Sequence, residues 1–318
     1  MLKMNYAIKN NELVHISEVE GGLKCGCVCP SCSAKLVARK GRIKMHHFAH
    51  VADEDCKSGM ETVLHMMAKL IFENELRMRV PKVYVLTKFT GAYYGGHFFT
   101  RQYEEYLTGE TCICFNNVKL ENKIDEFIPD VALCKGNQCL LVEIKVSHGV
   151  DDVKMQKIKN TGISLIEVDL SDLNGVITEN ELRAILINGL DNKYWIFNKR
   201  AEYYRNEWFN LCDKFKPTVK ENPKTKYDRY RYSYQVCGCP KKKRVNRKSN
   251  GYAIIELDCF HCEYCIDIEY EPRSYDCEVE RIIKIYCSGR TKISSIDDLK
   301  AYLEQDRGSE HIKELYEH

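Results

Sequence analysis

Seventeen cysteines, crowded towards the two ends of the chain, limit what it can fold into more than any other feature of the sequence. Cys25, Cys27, Cys29, Cys32 and Cys56 lie near the start, and Cys237, Cys239, Cys259, Cys262 and Cys265 near the end. The total is odd, and "MLKMNYAIKNNELV" lacks the apolar stretch of a secretory leader, so a disulfide framework is not expected. Thiols at short spacing in a reducing compartment suit zinc, which takes four Cys or His ligands in a closed tetrahedron. Both ends are therefore expected to be small β elements organised by Zn²⁺, around a cysteine-poor middle that must build its own core. With 318 residues, 44% of them hydrophobic, the chain has material for two or three units. It has no run of 18 or more apolar residues, so no membrane contact is expected and a cytoplasmic location is.

At the N-terminal end, Cys29-Pro-Ser-Cys32 is a CxxC turn, followed by His47-Phe-Ala-His50. The expected ligands are Cys29, Cys32 and two of His47, His50 and Cys56, with Cys25 and Cys27 as substitutes. At the other end, Cys237-Gly-Cys239 and Cys259-Phe-His-Cys262-Glu-Tyr-Cys265 resemble the two knuckles of a zinc ribbon separated by a hairpin. Cys239, Cys262 and Cys265 are the expected ligands there, with Cys237 or Cys259 as the fourth and His261 competing. Closed sites of this kind brace structure and leave no position for a reactive water. The competing reading, reduced cysteines packed in a core, applies to both clusters. It is the expectation for Cys112, Cys114, Cys134 and Cys139.

The middle of the chain reads as a mixed sheet flanked by helices. From Gly59, "METVLHMMAKLIFENELRMRV" has helical apolar spacing without internal Gly or Pro. "VYVL", "HFFTRQYEEYL" and "TCICFNNVKL" are candidate strands within residues 81–122. Strands over 126–134 and 139–147 are joined by a "KGNQ" turn. A helix follows in "VDDVKMQKIKNTG", with acidic residues in its first turn and a Gly stop. "ISLIEVDL" is a buried strand, and "ITENELRAILINGL" another helix. The order helix, three or more strands, helix, strand gives an α+β or α/β mixed sheet.

Within that sheet, "IPDVALCKGNQCLLVEIKVSH" carries the chemistry. Alternation places Leu141, Glu143, Lys145 and Ser147 on one face, and Leu140, Val142, Ile144 and Val146 on the other. If the two strands pair, Asp130 lies close to Glu143. Two carboxylates converging on a sheet can hold Mg²⁺ or Mn²⁺, and an adjacent lysine can act on a bound water or on developing phosphate charge. The plain alternative is a solvated face with a cross-strand Glu–Lys pair. Pro129, which marks a strand edge or bulge, favours a site, as does the helical set Glu61, His65 and Lys69. His148, Asp151 and Lys154 gather at the end of the same strand.

Net charge is only +2, so any nucleic-acid footprint must be local. "KKKRVNRK" places Lys241, Lys242, Lys243, Arg244, Arg247 and Lys248 in one run. Before it, Arg229 and Arg231 alternate with Tyr227, Tyr230, Tyr232 and Tyr234. Cations neutralise phosphates and tyrosine faces stack on bases, whereas the plain reading is a solvated basic loop.

The pattern Pro129-Asp130, twelve residues, Glu143-Ile-Lys145 resembles the PD-(D/E)xK signature of restriction-endonuclease-like nucleases. Together with "CPSC", "HHFAH", "ETVLHMMAKL", "LLVEIKVSHGVDDVKMQKIKNTGISLIEVDL" and "WIFN", residues 1–200 are similar to the competence protein CoiA-like family. The resemblance implies a Mg²⁺-dependent DNA endonuclease acting in competence-linked processing or in defence against foreign DNA. Asp130, Glu143 and Glu61 would bind the metal and Lys145 would be the catalytic lysine. His65, His148, Asp151 and Lys154 are accessory candidates without assigned roles. RNA is the alternative substrate, and nucleases of this kind often dimerise, so a homo-oligomer is compatible with it. Four segments are expected: a zinc-binding domain (1–57), a nuclease-like domain (58–200), a basic Tyr-rich linker (201–235) and a zinc-ribbon-like domain (236–318). A non-catalytic nucleic-acid-binding module with a silent nuclease fold competes with the enzyme, and a purely structural zinc protein is a third reading.

Overall fold

The computed structural model describes residues 4–43, 45–51, 56, 59–94, 97–147, 149–173, 177–221, 232–271 and 282–307. They form two compact units, 1–81 with 110–199 and 82–109 with 200–318. The architecture is mixed α and β with small sheets.

The first unit opens with two antiparallel hairpins, β1 (Tyr6–Lys9) with β2 (Glu12–His15) and β3 (Leu36–Arg39) with β4 (His47–His50). Helix α1 (Gly59–Glu75) follows and buries Val63, Leu64, Met67, Ala68, Ile71 and Phe72, the i, i+3, i+4 stripe that an amphipathic helix needs. It ends at Leu76, whose φ of 46° turns the chain into β5 (Arg77–Val80). The second unit takes the next segment, a long antiparallel hairpin of β6 (Val83–Tyr94) and β7 (His97–Thr108). The chain re-enters the first unit at β8 (Thr111–Cys114), which pairs with β5, and β9 (Asn117–Leu120).

β9 begins the central sheet. It continues through β10 (Val131–Lys135), β11 (Gln138–Lys145), helix α2 (Asp152–Thr161), β12 (Leu165–Asp169), helix α3 (Glu179–Ile187) and β13 (Lys193–Phe197). The spatial order is β13-β12-β11-β10-β9, antiparallel except for the β11–β12 pair, which α2 bridges. Gly136 turns the β10–β11 hairpin at φ 61°, left-handed backbone that a tight two-residue loop demands. α2 is capped at both ends as its sequence predicts: the Asp151 side chain accepts from Lys154 N–H, and Gly162 closes it in the left-handed conformation.

Both faces of the sheet are covered, so β10 and β11 are apolar at nearly every position rather than alternately. Val131, Leu133, Val142, Ile144, Ile166 and Val168 pack with α1 and α3, and Ala132, Leu141 and Leu165 pack with Ile158 of α2. The N-terminal hairpins share the first of these cores through Met4, Tyr6 and Leu13, and Asn5 donates to the Ile177 carbonyl at 3.0 Å. The expected boundary near residue 57 is thus not a boundary of packing.

In the second unit, α4 (Lys199–Leu211) buries Ala201, Tyr204 and Trp208, a helical stripe with two large aromatics. This corrects the expected linker over 201–235: β14 (Asp213–Phe215), β15 (Thr218–Glu221) and β16 (Tyr232–Cys237) also fall there, while 222–231 lie outside the described residues. The hairpin of β17 (Arg244–Val245) and β18 (Gly251–Ile254) leads into a π-helical turn, Ile255–Cys259. β19 (Cys265–Tyr270), β20 (Ile282–Cys287) and α5 (Ile296–Arg307) complete the unit. Its sheets run β15-β16-β18-β17 and β14-β20-β19.

Candidate functional site

Pro129 cannot donate to a strand ladder, so β10 starts only at Val131 and Asp130 is left at the sheet end. There Asp130 Oδ2 accepts from the Ile144 amide at 2.9 Å, and Oδ1 receives His65 Nδ1 at 3.1 Å. Burial raises the Asp130 pKa, but His65's hydrogen bond and charge and the Ile144 amide more than offset it, holding the carboxyl below its usual range. Glu143 sits one residue beyond the Val131–Val142 pair and is only 7% exposed. Its Oε2 accepts from Lys154 Nζ at 2.6 Å, and its Oε1 is buried without a hydrogen-bond partner among the described residues. Burial, then the charge of Asp130, pushes the Glu143 carboxyl up, with Lys154 acting the other way.

Lys145 is not held by these two carboxylates. Parallel pairing sets Glu143 beside Glu167 and Lys145 beside Asp169, and Lys145 Nζ donates to Asp169 Oδ2 at 2.5 Å. Asp169 raises the Lys145 pKa and so holds it as an ammonium. Gly149 packs over Lys145 and Glu167: a Cβ there would lie 3.1 Å from Glu167 Oε2 and 3.2 Å from Lys145 Cδ, and the Val150 amide donates to Glu167. Glu167 and Asp169 were not singled out in the sequence. Their signal was the period-two match of "LIEVD" to "LVEIK", which acquires meaning only once the strands run parallel.

The polar stripe of α1 faces the same sheet end. Glu61 accepts from Ser147 Oγ at 2.9 Å, His65 holds Asp130, and Lys69 reaches Glu121 at 2.5 Å. Asp130, Glu143 and Glu61 do not bring one carboxylate oxygen each within 4.8 Å of one another, so the structure does not gather the expected three-carboxylate metal set. Asp151 serves as the α2 cap, and His148 lies outside the described residues. The unpartnered Glu143 oxygen is an orphaned buried acceptor of the chemical kind that Mg²⁺ or Mn²⁺, hard cations that keep several waters, take as a ligand.

The N-terminal cysteines resolve further. Ligand atoms of Cys29, Cys32, His50 and Cys56 all lie within 4.8 Å of one another, a grouping unique among the described residues. Cys29 Sγ and Cys56 Sγ are 3.8 Å apart, and Cys32 Sγ is 3.3 Å from His50 Nε2. A tetrahedron with Zn–S near 2.3 Å and Zn–N near 2.0 Å has edges of about 3.8 and 3.5 Å, so these four atoms fit zinc. His47 instead contacts the Met45 carbonyl, and Cys25 and Cys27 are buried against backbone carbonyls.

At the C-terminal end, Cys239, Cys259, Cys262 and Cys265 line one cavity together with Cys287, which the sequence reading missed because it stands alone in its segment. Cys237 and His261 are exposed and do not line it. Of the four cysteines expected in cores, Cys112 and Cys114 are exposed, since β8 is a short two-strand partner of β5 with little cover. Cys134 and Cys139 face each other across the β10–β11 hairpin as a disulfide.

In the basic run, Arg244 is occupied by Asp258 through two contacts, at 2.6 and 3.1 Å, and Lys241 lies 3.8 Å from the Tyr264 ring centre. Lys242, Lys243, Arg247 and Lys248 are exposed, while Arg229 and Arg231 fall outside the described residues. No helix among the described residues is long and apolar enough to cross a membrane.

No curated protein and no solved structure matches the chain. Residues 13–59, which contain all four members of the Cys29, Cys32, His50 and Cys56 quartet, match the family model of the competence protein CoiA N-terminal domain, and in this segment the chain is CoiA-like.

Proposed function

We propose that the chain is a divalent-metal-dependent nuclease of the PD-(D/E)xK type that hydrolyses DNA, with Asp130 and Glu143 as metal ligands. The observation that carries this reading is the buried Glu143 carboxylate, one oxygen unpartnered among the described residues, beside Asp130 at the end of a mixed sheet. A carboxylate raised in pKa by burial and then by a second carboxylate is an arrangement of functional sites rather than of stable cores. The sheet order, with α1 on one face and α2 on the other, is in keeping with a restriction-endonuclease-like fold. A bound Mg²⁺ would polarise the phosphate and acidify a water at this position. Asp130 is held ionised and oriented by His65 and the Ile144 amide. Lys145, kept protonated by Asp169, is suited to stabilising phosphate charge rather than to removing a proton. Lys154 neutralises Glu143, the charge that a bound cation would supply in its place.

The CoiA-like N-terminal segment supports a role in DNA processing. Exposed Lys242, Lys243, Arg247 and Lys248 supply charge for backbone contacts.

A specific observation favours the competing reading of a silent fold that only binds nucleic acid: Lys145 is engaged by Asp169, and Glu61 by Ser147. Cleavage of plasmid and of single-stranded DNA with Mg²⁺, with Mn²⁺ and with EDTA separates the two. The nuclease reading expects metal-dependent cleavage that Asp130→Asn and Lys145→Ala abolish while DNA binding persists. Binding without cleavage under every metal condition selects the silent module.

A further inference from the structure

The cysteine-lined cavity of the second unit has no part in the nuclease reading, and its composition calls for an explanation. Its volume is about 20 Å³, enough for one water-sized body. Five of its lining side chains are thiols, delivered by three separate segments. Cys239 follows the end of β16. Cys259, Cys262 and Cys265 lie on two successive turns, closed by Cys262 N–H to the Cys259 carbonyl at 3.1 Å and Cys265 N–H to the Cys262 carbonyl at 3.0 Å. Cys287 ends β20, directly opposite Cys265 in the antiparallel register, so both side chains leave the same sheet face. The Gly289 amide donates to Cys287 Sγ at 3.4 Å.

Core packing is a poor account of this gathering. A buried cysteine packs as a small apolar side chain with a weak S–H donor, and nothing in packing requires that five come from distant segments to one cavity. A thiophilic cation does require it, because neighbouring thiolates become stable only around a positive charge. Four thiolates on Zn²⁺ carry a net double negative charge, and Lys241 and Lys243 line the same cavity.

We propose that this cavity is a tetrathiolate site for one Zn²⁺, held by Cys239, Cys262, Cys265 and Cys287. Cys262 and Cys265 form the CxxC knuckle, and Cys287 takes the place that the sequence assigns to Cys237 or Cys259. Cys259 is a fifth thiol that packs against the site. No three of these sulfurs lie mutually within 4.8 Å, so a bound zinc would have to gather them to S···S separations of about 3.8 Å.

Metal analysis of the full chain tests this without reference to nuclease activity, so the two proposals fail separately. Two zinc ions per chain are expected in the wild type and in Cys259→Ser. One is expected in Cys29→Ser/Cys32→Ser and one in Cys265→Ser/Cys287→Ser. A wild-type chain with a single zinc, lost entirely in Cys29→Ser/Cys32→Ser, overturns the proposal, as does retention of both ions in Cys265→Ser/Cys287→Ser. Because that variant could fail to fold, cobalt titration of the metal-free wild type gives a second readout. Thiolate-to-cobalt absorption rising through two equivalents supports the site, whereas a rise that stops after one refutes it.

Discussion

Replacing Lys154 with methionine tests whether Glu143 is the electrostatic centre of the sheet-end site. Lys154 Nζ lies 2.6 Å from a carboxylate that is 7% exposed, and methionine keeps much of the apolar stem while removing the charge. A hydrogen bond to a charged group is worth roughly 1.5–3 kcal/mol. Because the Lys154 side chain is 36% exposed, water recovers part of the loss, which points to the lower end, about 1.5–2 kcal/mol. The pH dependence is the diagnostic part. Glu143 is already raised in the fold by burial and by Asp130, and losing Lys154 raises it further. A group whose folded pKa exceeds its unfolded value stabilises the fold below the unfolded pKa and loses that contribution as pH rises through the folded value. The variant should therefore approach wild-type stability near the unfolded Glu value of about 4.3 and show its full deficit at neutral pH. For a unit of this size the neutral-pH deficit corresponds to a drop in melting temperature of roughly 3–8 °C. Thermal unfolding followed by circular dichroism in EDTA across this pH range measures it. Saturating Mg²⁺ should narrow the gap, since a cation on Glu143 replaces the missing ammonium, and ligand at a hundred times its Kd adds about 2.7 kcal/mol. An equal deficit at acid and neutral pH, or one that Mg²⁺ leaves untouched, refutes the reasoning.

Lys145→Ala should lower metal-dependent cleavage at least about a hundredfold without moving the pH profile between pH 7 and 9, because Asp169 keeps Lys145 charged throughout; a shifted profile would instead assign it as the base. Stripping zinc from the full chain, or Cys56→Ser, should remove hydrogen-exchange protection from the first turns of α1 while β11 and β12 keep theirs; unchanged α1 protection would show that the quartet does not brace the helix. Trp208→Ala should destabilise the second unit by about 3–5 kcal/mol, the cost of emptying a fully buried indole site, seen as an earlier unfolding transition. A change near zero there would mean that α4 is not a core element after all.

Local signals were readable wherever chemistry acts over a few residues. Asp151 and Gly162 bounded α2 because capping depends on one side chain and one backbone conformation. The stripe from Val63 to Phe72 marked α1, and the β10–β11 hairpin followed from "KGNQ" between two apolar runs. Long-range placement was not readable. Lys145 and Lys154 both lie near Glu143 in sequence, and only the parallel β11–β12 register and the position of α2 send one to Asp169 and the other to Glu143. Cys287 carried no motif of its own, and its relation to Cys265 exists only through the β19–β20 pairing. In the segment taken as a linker, basic residues and prolines near 216–235 outweighed the aromatic stripe just before them, Tyr204 and Trp208, that marks a buried helix face.

The zinc-fitting quartet and the carboxylate pair belong to one mechanical unit, which explains why both should occur in one polypeptide. Cys56 precedes Gly59, the first residue of α1, by three positions, and the Gly59 amide donates to the Cys56 carbonyl. Gly59 is packed so closely against the quartet that a Cβ there would lie 3.2 Å from Cys29 Sγ and 3.6 Å from Cys56 Sγ. The helix therefore starts against the sulfur cluster, where even a Cβ would press on Cys29. From that fixed start, one turn brings Glu61 to Ser147 and the next brings His65 to Asp130. A helix rises about 1.5 Å per residue, so a one-residue slip at Gly59 would carry His65 out of hydrogen-bond range of Asp130. Asp130 would then keep its burial but lose the imidazole that, with the Ile144 amide, holds its carboxyl below its usual range, and the proposed ligand pair would be weakened without any change in the sheet itself. A zinc bound by the quartet would in this way set the register of the helix on which the proposed metal ligand Asp130 depends, without itself taking part in chemistry.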